Sequence, residues 1–356
     1  MTSSYGENLK LTIFGSSHAP EIGMTLQDIP AGKQVDLEKL QAFLNRRAPG
    51  NFPWSTSRKE ADIPLFRSGL ADGVTTGESI TAIIENQNIR RSDYEELKHI
   101  PRPGHADFTA WMKYGLDFDM SGGGPFSGRM TAPLCIAGGM CKQWLEEMGI
   151  RIGAHILNIG PTFDERFNPL SPELDLVRAD FPVLESEITE KMQEKISWAK
   201  EHGDSVGGVV ECAITGVPAG MGGFYFANVK SRLSAALYAI PAVQDVSFGD
   251  GSSNAFVLGS AVNDAYCICN GKVYTVTNHC GGIQGGITNG MPIILRVAFK
   301  PTPSIAKPQK SVNLKTMEEV EIQINGRHDP CIVPRAVPVV EAAAAIAIYD
   351  LILGGI

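Results

Sequence analysis

His18, His105 and the segment Gly326–Pro330 carry the side chains best suited to moving protons beside an anion. His18 closes the run Ile13-Phe14-Gly15-Ser16-Ser17-His18, just past an apolar stretch that begins near Leu9. Gly15 lets the chain turn, which puts the imidazole on a loop at a strand end. An imidazole titrates near neutral pH and suits proton transfer there. Taken alone, such a histidine is more often structural than functional. His105 lies in Arg102-Pro103-Gly104-His105-Ala106-Asp107. Pro103 fixes φ, and Gly104 permits close backbone approach. Asp107 could orient the imidazole, and Arg102 could bind an anion. Gly326-Arg327-His328-Asp329-Pro330 repeats that chemistry. Asp329 is a candidate general base if its surroundings are apolar enough to raise its pKa. His328 could instead satisfy a turn, and the residues do not choose between the two.

Basic residues recur beside these segments: Arg46 and Arg47, Arg58 and Lys59, Arg129, Lys300, Arg327 and Arg335. The formal net charge is −8, which argues against nonspecific nucleic-acid binding. Arginines clustered in an acidic chain point to a substrate with several negative charges, because guanidinium groups grip carboxylate and phosphate in a bidentate way. Arg90 and Arg91 read instead as solvated surface, within the polar run Asn86 to Glu96. Lys300-Pro301-Thr302-Pro303-Ser304 offers an ammonium and two hydroxyls after a strand, a set that suits a cofactor phosphate. The Gly281–Gly290 loop is flexible and lets a ligand approach its backbone. Walker A and dinucleotide fingerprints are missing, and no histidine pair has metal-ligand spacing.

The elements that position these residues repeat. Asp28-Ile29-Pro30-Ala31-Gly32 resembles Gly216-Val217-Pro218-Ala219-Gly220. Each follows a strand-like stretch, Gly23–Gln27 and Val209–Thr215. Each precedes a helix, Leu37–Arg47 with Asp36 as N-cap and Val229–Ile240. Gly73-Val74-Thr75-Thr76-Gly77 matches Gly286-Ile287-Thr288-Asn289-Gly290, and both lead into β-rich runs, Ile80–Ile84 and Ile293–Phe299. Gly104–Asp107 has a counterpart in Gly326–Asp329. Arg129 with an apolar helix to Met148 echoes Arg335 with a helix to Leu353. Matches in one order imply an internal duplication, about 9–149 and 205–356, within one domain spanning 1–356. A connecting segment carries a helix near Leu184–His202.

With 43% apolar and 20% charged residues, the chain can build a real core. No apolar run reaches the roughly 20 residues of a membrane span. Ala336–Leu353 contains Pro338, Glu341 and Asp350 and reads as a buried helix. The N-terminus lacks signal-peptide features. Seven cysteines at scattered spacings read as free thiols in a reducing cytoplasm.

Arg102–Asp107 followed by Lys113-Tyr114-Gly115, the Gly281–Gly290 loop, Lys300–Ser304, and Gly326–Pro330 followed by Arg335-Ala336-Val337-Pro338 together resemble chorismate synthase. The order and spacing match over essentially the whole chain. The resemblance implies an α+β fold, an internally duplicated β-α-β sandwich with helices packed between antiparallel sheets, and a homotetramer. It implies a 1,4-anti elimination of phosphate from 5-enolpyruvylshikimate 3-phosphate, giving chorismate in the shikimate pathway, with reduced FMN and no net redox change. By position, His18 would protonate the departing phosphate, and His105 would act on the reduced flavin. Asp329 would assist the flavin in deprotonating the ring. Arg47, Ser127, Arg129 and Arg335 would hold the substrate. Ala242, Gly285, Lys300, Thr302, Ser304 and Arg327 would contact the flavin.

The chain departs from the family in places. Ser16 stands where the family has a carboxylate, Ala19 where it has glycine, and Pro125 where it has Arg or His. Pro53 replaces an arginine linked to nicotinamide binding, so the resemblance implies reduced FMN from a separate flavin reductase rather than from NADPH. Ser16, Ala19 and Pro125 leave two alternatives open: a diverged paralogue acting on another phosphorylated substrate, and a non-catalytic flavin-binding protein. Retention of His18, His105 and Asp329 counts against the second.

Overall fold

Alternating apolar residues build the first sheet. Ile22, Met24 and Leu26 are buried on strand Glu21–Gln27, and Ile80, Ala82 and Ile84 on strand Ile80–Glu85. The two pair antiparallel, with Ile22 opposite Ile84 and Met24 opposite Ala82. Lys10–Gly15 and then Ser3–Tyr5 extend this sheet on one side, and Leu65–Ser68 on the other. A second antiparallel sheet has the order Val243–Phe248, Ile293–Phe299, Gly208–Thr215, Arg151–Ile159, Thr162–Phe163. The structure, a computed structural model, describes residues 3–50, 60–86, 98–178, 180–324 and 329–355.

The helices, in chain order, are α1 (Leu37–Arg47), α2 (Asp107–Tyr114), α3 (Thr131–Glu147), α4 (Ile188–Glu201), α5 (Val229–Tyr238), the short α6 (Gly259–Val262) and α7 (Val333–Leu353). Helix α3 packs on the first sheet, α7 on the second, and the two on each other. A Cβ at Gly138 would collide with the backbone of Ala342, so α3 and α7 meet closely only because that position has no side chain. The alanines Ala342–Ala345 on α7 are fully buried there. Each fully buried Leu, Ile or Met in this core contributes about 1.5–3 kcal/mol. Beyond Arg335 in its first turn, α7 carries two charged residues, both buried. Glu341 accepts from Arg46 Nη2 at 2.7 Å, and Asp350 accepts the Asn8 and Leu9 N–H groups at 2.8 and 2.9 Å. Those partners allow a buried core helix to carry them.

Asp36 caps α1 by accepting from Lys39 N at 2.9 Å, as its position predicts. Helix α4 starts later than the expected Leu184. The carboxylate of Asp164 takes the N–H groups of Leu184 and Glu185, at 2.7 and 3.1 Å, and holds them outside the helix. The glycine loop contains a regular hairpin. Ile283–Gln284 and Ile287–Thr288 form a hairpin turning through Gly285 and Gly286 at φ 60° and 88°, values that suit glycine. All seven cysteines are free.

The paired turns bond alike. Gly32 N donates to Thr75 O at 2.8 Å, and Gly220 N to Thr288 O at 2.9 Å. Thr75 Oγ1 donates to Pro30 O at 2.7 Å, and Thr288 Oγ1 to Pro218 O at 2.6 Å. The Lys33 and Met221 N–H groups donate to those same two hydroxyls, each at 2.9 Å.

Candidate active site

The strand Lys10–Gly15 ends at a glycine with φ 99°, where a Cβ would strike the backbone of Glu21 and Ile22. The chain then turns through Ser16–Ala19, closed by Ala19 N donating to Ser16 O at 3.1 Å. His18 on this turn is buried. Its ring lies against Gly122, so that any Cβ there would overlap Cε1 and Nδ1. The next glycine faces the other imidazole. A Cβ at Gly123 would lie 3.1 Å from His105 Cε1 and 3.4 Å from Nε2. Both glycines adopt left-handed φ, 60° and 90°. Adjacent side-chain-free residues thus back the two histidines.

His105 is oriented from its other edge. Its Nδ1 lies 3.1 Å from Asp107 Oδ1 and 3.3 Å from Arg102 Nη2. Asp107 accepts from Arg102 Nε and Nη2, both at 2.7 Å, and from the Arg102 backbone N at 3.0 Å. Burial alone would raise the Asp107 carboxyl, but its bonds to Arg102 and His105 hold it well below the usual range. The expected orienting role of Asp107 fits this geometry. Arg102 as an anion binder does not, because the guanidinium is bidentate on Asp107. A cavity of about 260 Å³ lies behind that pair, walled by Trp111, Phe118 and Met120. Neither histidine lines it.

Three arginines converge nearby. Arg47 ends α1, Arg129 sits in a single turn before α3, and Arg335 opens α7. Arg47 and Arg129 each bond one oxygen of Asp62. Arg47 Nε donates to Thr131 Oγ1 at 3.1 Å, and Arg335 Nε to the Arg47 carbonyl at 3.0 Å. Arg129 Nε donates to Asn86 Oδ1 at 3.0 Å. Burial would raise the Asp62 carboxyl, but the two arginines more than reverse this. Burial lowers Arg129 and Arg335 from the usual arginine value. Arg129 Nη2 has no hydrogen-bond partner among the described residues, although Glu60 lies 3.8 Å away. Ser127 Oγ accepts from Arg129 N at 3.3 Å.

Asp329 sits in ionic, not apolar, surroundings: Arg335 Nη1 donates to its carboxylate at 2.5 Å. The condition attached to its role as a base, an apolar shell, is therefore not met. Thr302 Oγ1 donates to the Asp329 carbonyl at 2.7 Å. Lys300 Nζ donates to Gly104 O at 2.7 Å, and Lys300 N to Ala242 O at 3.0 Å. The Lys300–Ser304 segment thereby touches both the His105 loop and Asp329. Gly285 is different: nothing lies within 4 Å of where its Cβ would be. Arg46 also leaves the anion group, because Glu341 takes both its Nη atoms. Gly326, Arg327, His328, Arg58, Lys59, Arg90, Arg91 and Pro53 lie outside the described residues.

Sequence reasoning missed Asp62, Asn86 and the Gly122–Gly123 pair. Asn86 falls in what reads as a polar surface run, yet it is buried. The glycine run Gly122–Gly124 was the one visible signal for its pair.

The chorismate synthase family model matches residues 9–353. This chain belongs to the chorismate synthase family. Chorismate synthases from Lancefieldella parvula and Pyrococcus abyssi are each 46% identical to it. Those alignments cover 98% of this chain, with 96% and 97% of the two relatives. A crystal structure of chorismate synthase superposes with a TM-score of 0.78 at 28% identity, over 98% of this chain and 93% of that one. The α+β arrangement expected from the motifs is the arrangement found. Chorismate synthases use reduced flavin and act on a small-molecule substrate.

Proposed function

We propose that this chain catalyses the 1,4-anti elimination of phosphate from 5-enolpyruvylshikimate 3-phosphate to give chorismate, with reduced FMN bound. The observation that carries the reading is the placing of His18 and His105 against adjacent glycines, with buried Arg47 and Arg129 and half-buried Arg335 linked nearby, Arg129 to the His18 turn through Asn86. Such a site sets two imidazoles near guanidinium groups for which a substrate anion would compete with Asp62 and Asp329.

The residues fit a flavin mononucleotide. Lys300, Thr302 and Ser304 supply a donor set for its phosphate, and they adjoin the His105 loop through the Lys300–Gly104 bond. The open space at Gly285 leaves room for a ligand beside its backbone, and Ala242 adjoins Lys300 through the Lys300 N–Ala242 O bond. Arg327 is a further flavin contact on the family resemblance alone. Reduced FMN, when bound, supplies transient electron donation that eases phosphate departure without net oxidation.

The chain's own residues do the rest. Arg47, Arg129, Arg335 and Ser127 hold the carboxylates and phosphate of the substrate. His18 gives a proton to the leaving phosphate. His105, with Nδ1 fixed by Asp107, presents Nε2 for proton exchange at the flavin. Asp329, paired with Arg335 rather than set in an apolar shell, keeps the role the family resemblance implies, assisting the flavin in removal of the ring proton. Ser16 supports this reading, because it serves the His18 turn through its carbonyl oxygen, which any residue supplies. Four further proposals accompany it: one domain built by duplication, supported by the paired turns; a homotetramer; a cytoplasmic enzyme; and supply of reduced FMN by a separate flavin reductase.

Anaerobic incubation with chemically reduced FMN and 5-enolpyruvylshikimate 3-phosphate tests the function. Chorismate and phosphate should appear together. Binding of flavin and substrate with no product would overturn it.

A further inference from the structure

The geometry points to Asn86 as a positioning residue that couples the His18 turn to Arg129. Asn86 follows the strand Ile80–Glu85 and is 9% exposed. Its Nδ2 donates to the Ala19 carbonyl at 2.8 Å and reaches the Ser16 carbonyl at 3.4 Å. Its backbone N donates to Pro20 O at 2.9 Å. On the other side, Oδ1 accepts from Arg129 Nε at 3.0 Å. One side chain therefore grips both ends of the turn that carries His18 and fixes one edge of a buried guanidinium.

The chemistry demands a carboxamide. Carbonyls only accept and guanidinium only donates, so the bridging group needs a donor on one side and an acceptor on the other. Asparagine supplies both. Aspartate keeps the acceptor for Arg129 but loses the donor for the turn. Alanine loses both. Proton donor and anion holder thus move as one unit. A misplacement of about 1 Å between reacting groups can lower a rate on the order of 10²-fold.

This inference rests on the proposed roles of His18 and Arg129, and a double-mutant cycle in the full chain separates the two levels. Asn86→Asp, His18→Ala and the double variant are assayed for kcat and KM with reduced FMN and 5-enolpyruvylshikimate 3-phosphate. Asn86→Asp should lower kcat roughly 10-fold with KM within about 2-fold, because Arg129 stays held. In the His18→Ala background the same change should lower kcat less than about 2-fold, because the group it positions is gone. Asn86→Ala should also raise KM, by roughly 10-fold. Full additivity of Asn86→Asp and His18→Ala overturns the proposal, and so does a native kcat for Asn86→Asp. A native kcat for His18→Ala would sink the role given to His18, a separate failure. Circular dichroism checks folding. If Asn86→Asp does not fold, Asn86→Ala takes its place in the cycle, and additivity or a native kcat overturns the proposal in the same way.

Discussion

Glu341→Gln should destabilise the protein by roughly 3 kcal/mol at pH 7. Glu341 is 2% exposed on α7. It accepts from Arg46 at 2.7 and 2.9 Å, from Lys142 Nζ at 2.5 Å and from Ala154 N at 3.3 Å. Burial alone would raise its pKa. Arg46 and Lys142 more than reverse that and bring it from 4.5 down to about 2. At about 1.36 kcal/mol per pH unit, that difference gives the figure above, and it matches the ~3–5 kcal/mol expected on breaking a buried ion pair. The sign follows from the lowered folded-state pKa. The stabilisation is present above about pH 4.5 and is lost as pH falls toward about 2. The gap between native and variant proteins should therefore shrink to less than about half by pH 3. Urea unfolding at one protein concentration, at pH 7 and pH 3, measures both numbers. A gap under about 1 kcal/mol at pH 7, or one that does not narrow in acid, would refute the reasoning. Substrate KM should also rise, because Arg46 precedes Arg47 at the end of α1.

Other substitutions probe the site itself. Gly122→Ala needs a left-handed backbone and puts a Cβ into the His18 ring, so turnover should fall about 10²-fold; unchanged turnover would show that His18 does not depend on this contact. Asp107→Asn should cut kcat roughly 10-fold with little change in KM, since it loosens His105 rather than the substrate arginines; a change confined to KM would contradict that. Asp62→Asn leaves Arg47 and Arg129 without their shared carboxylate and should destabilise by about 3 kcal/mol. Inorganic phosphate should then raise the Tm of this variant more than that of the native protein, because an anion replaces the lost charge. An equal rise in both would argue against an anion site.

Local rules explain which parts were legible. Helix α1 was readable because Asp36 caps it and apolar residues recur at helical spacing, with Leu40, Phe43 and Leu44 on its buried face. Helix α7 was readable as buried because three residues in an apolar run break the pattern of a membrane span. The start of α4 was not, because Asp164, twenty residues before Leu184, competes for the first N–H groups. The chemistry of the site divides the same way. Asp107 lies two residues from His105, and proximity in sequence sufficed to link them. Arg102 is bidentate on Asp107, a partnership that the spacing of the motif did not reveal. Asp62 and Asn86 gain their meaning only when α1, the end of a strand and the turn before α3 meet. No spacing rule encodes that meeting.

The central claim is that this site expels phosphate with a flavin that is not consumed. Its most direct measurement is the ratio of chorismate formed to reduced FMN supplied, under strict anaerobiosis with substrate in excess. Many chorismate molecules per flavin, each matched by one phosphate, is the predicted result. A yield that stops at one per flavin, or phosphate release without chorismate, would contradict the account.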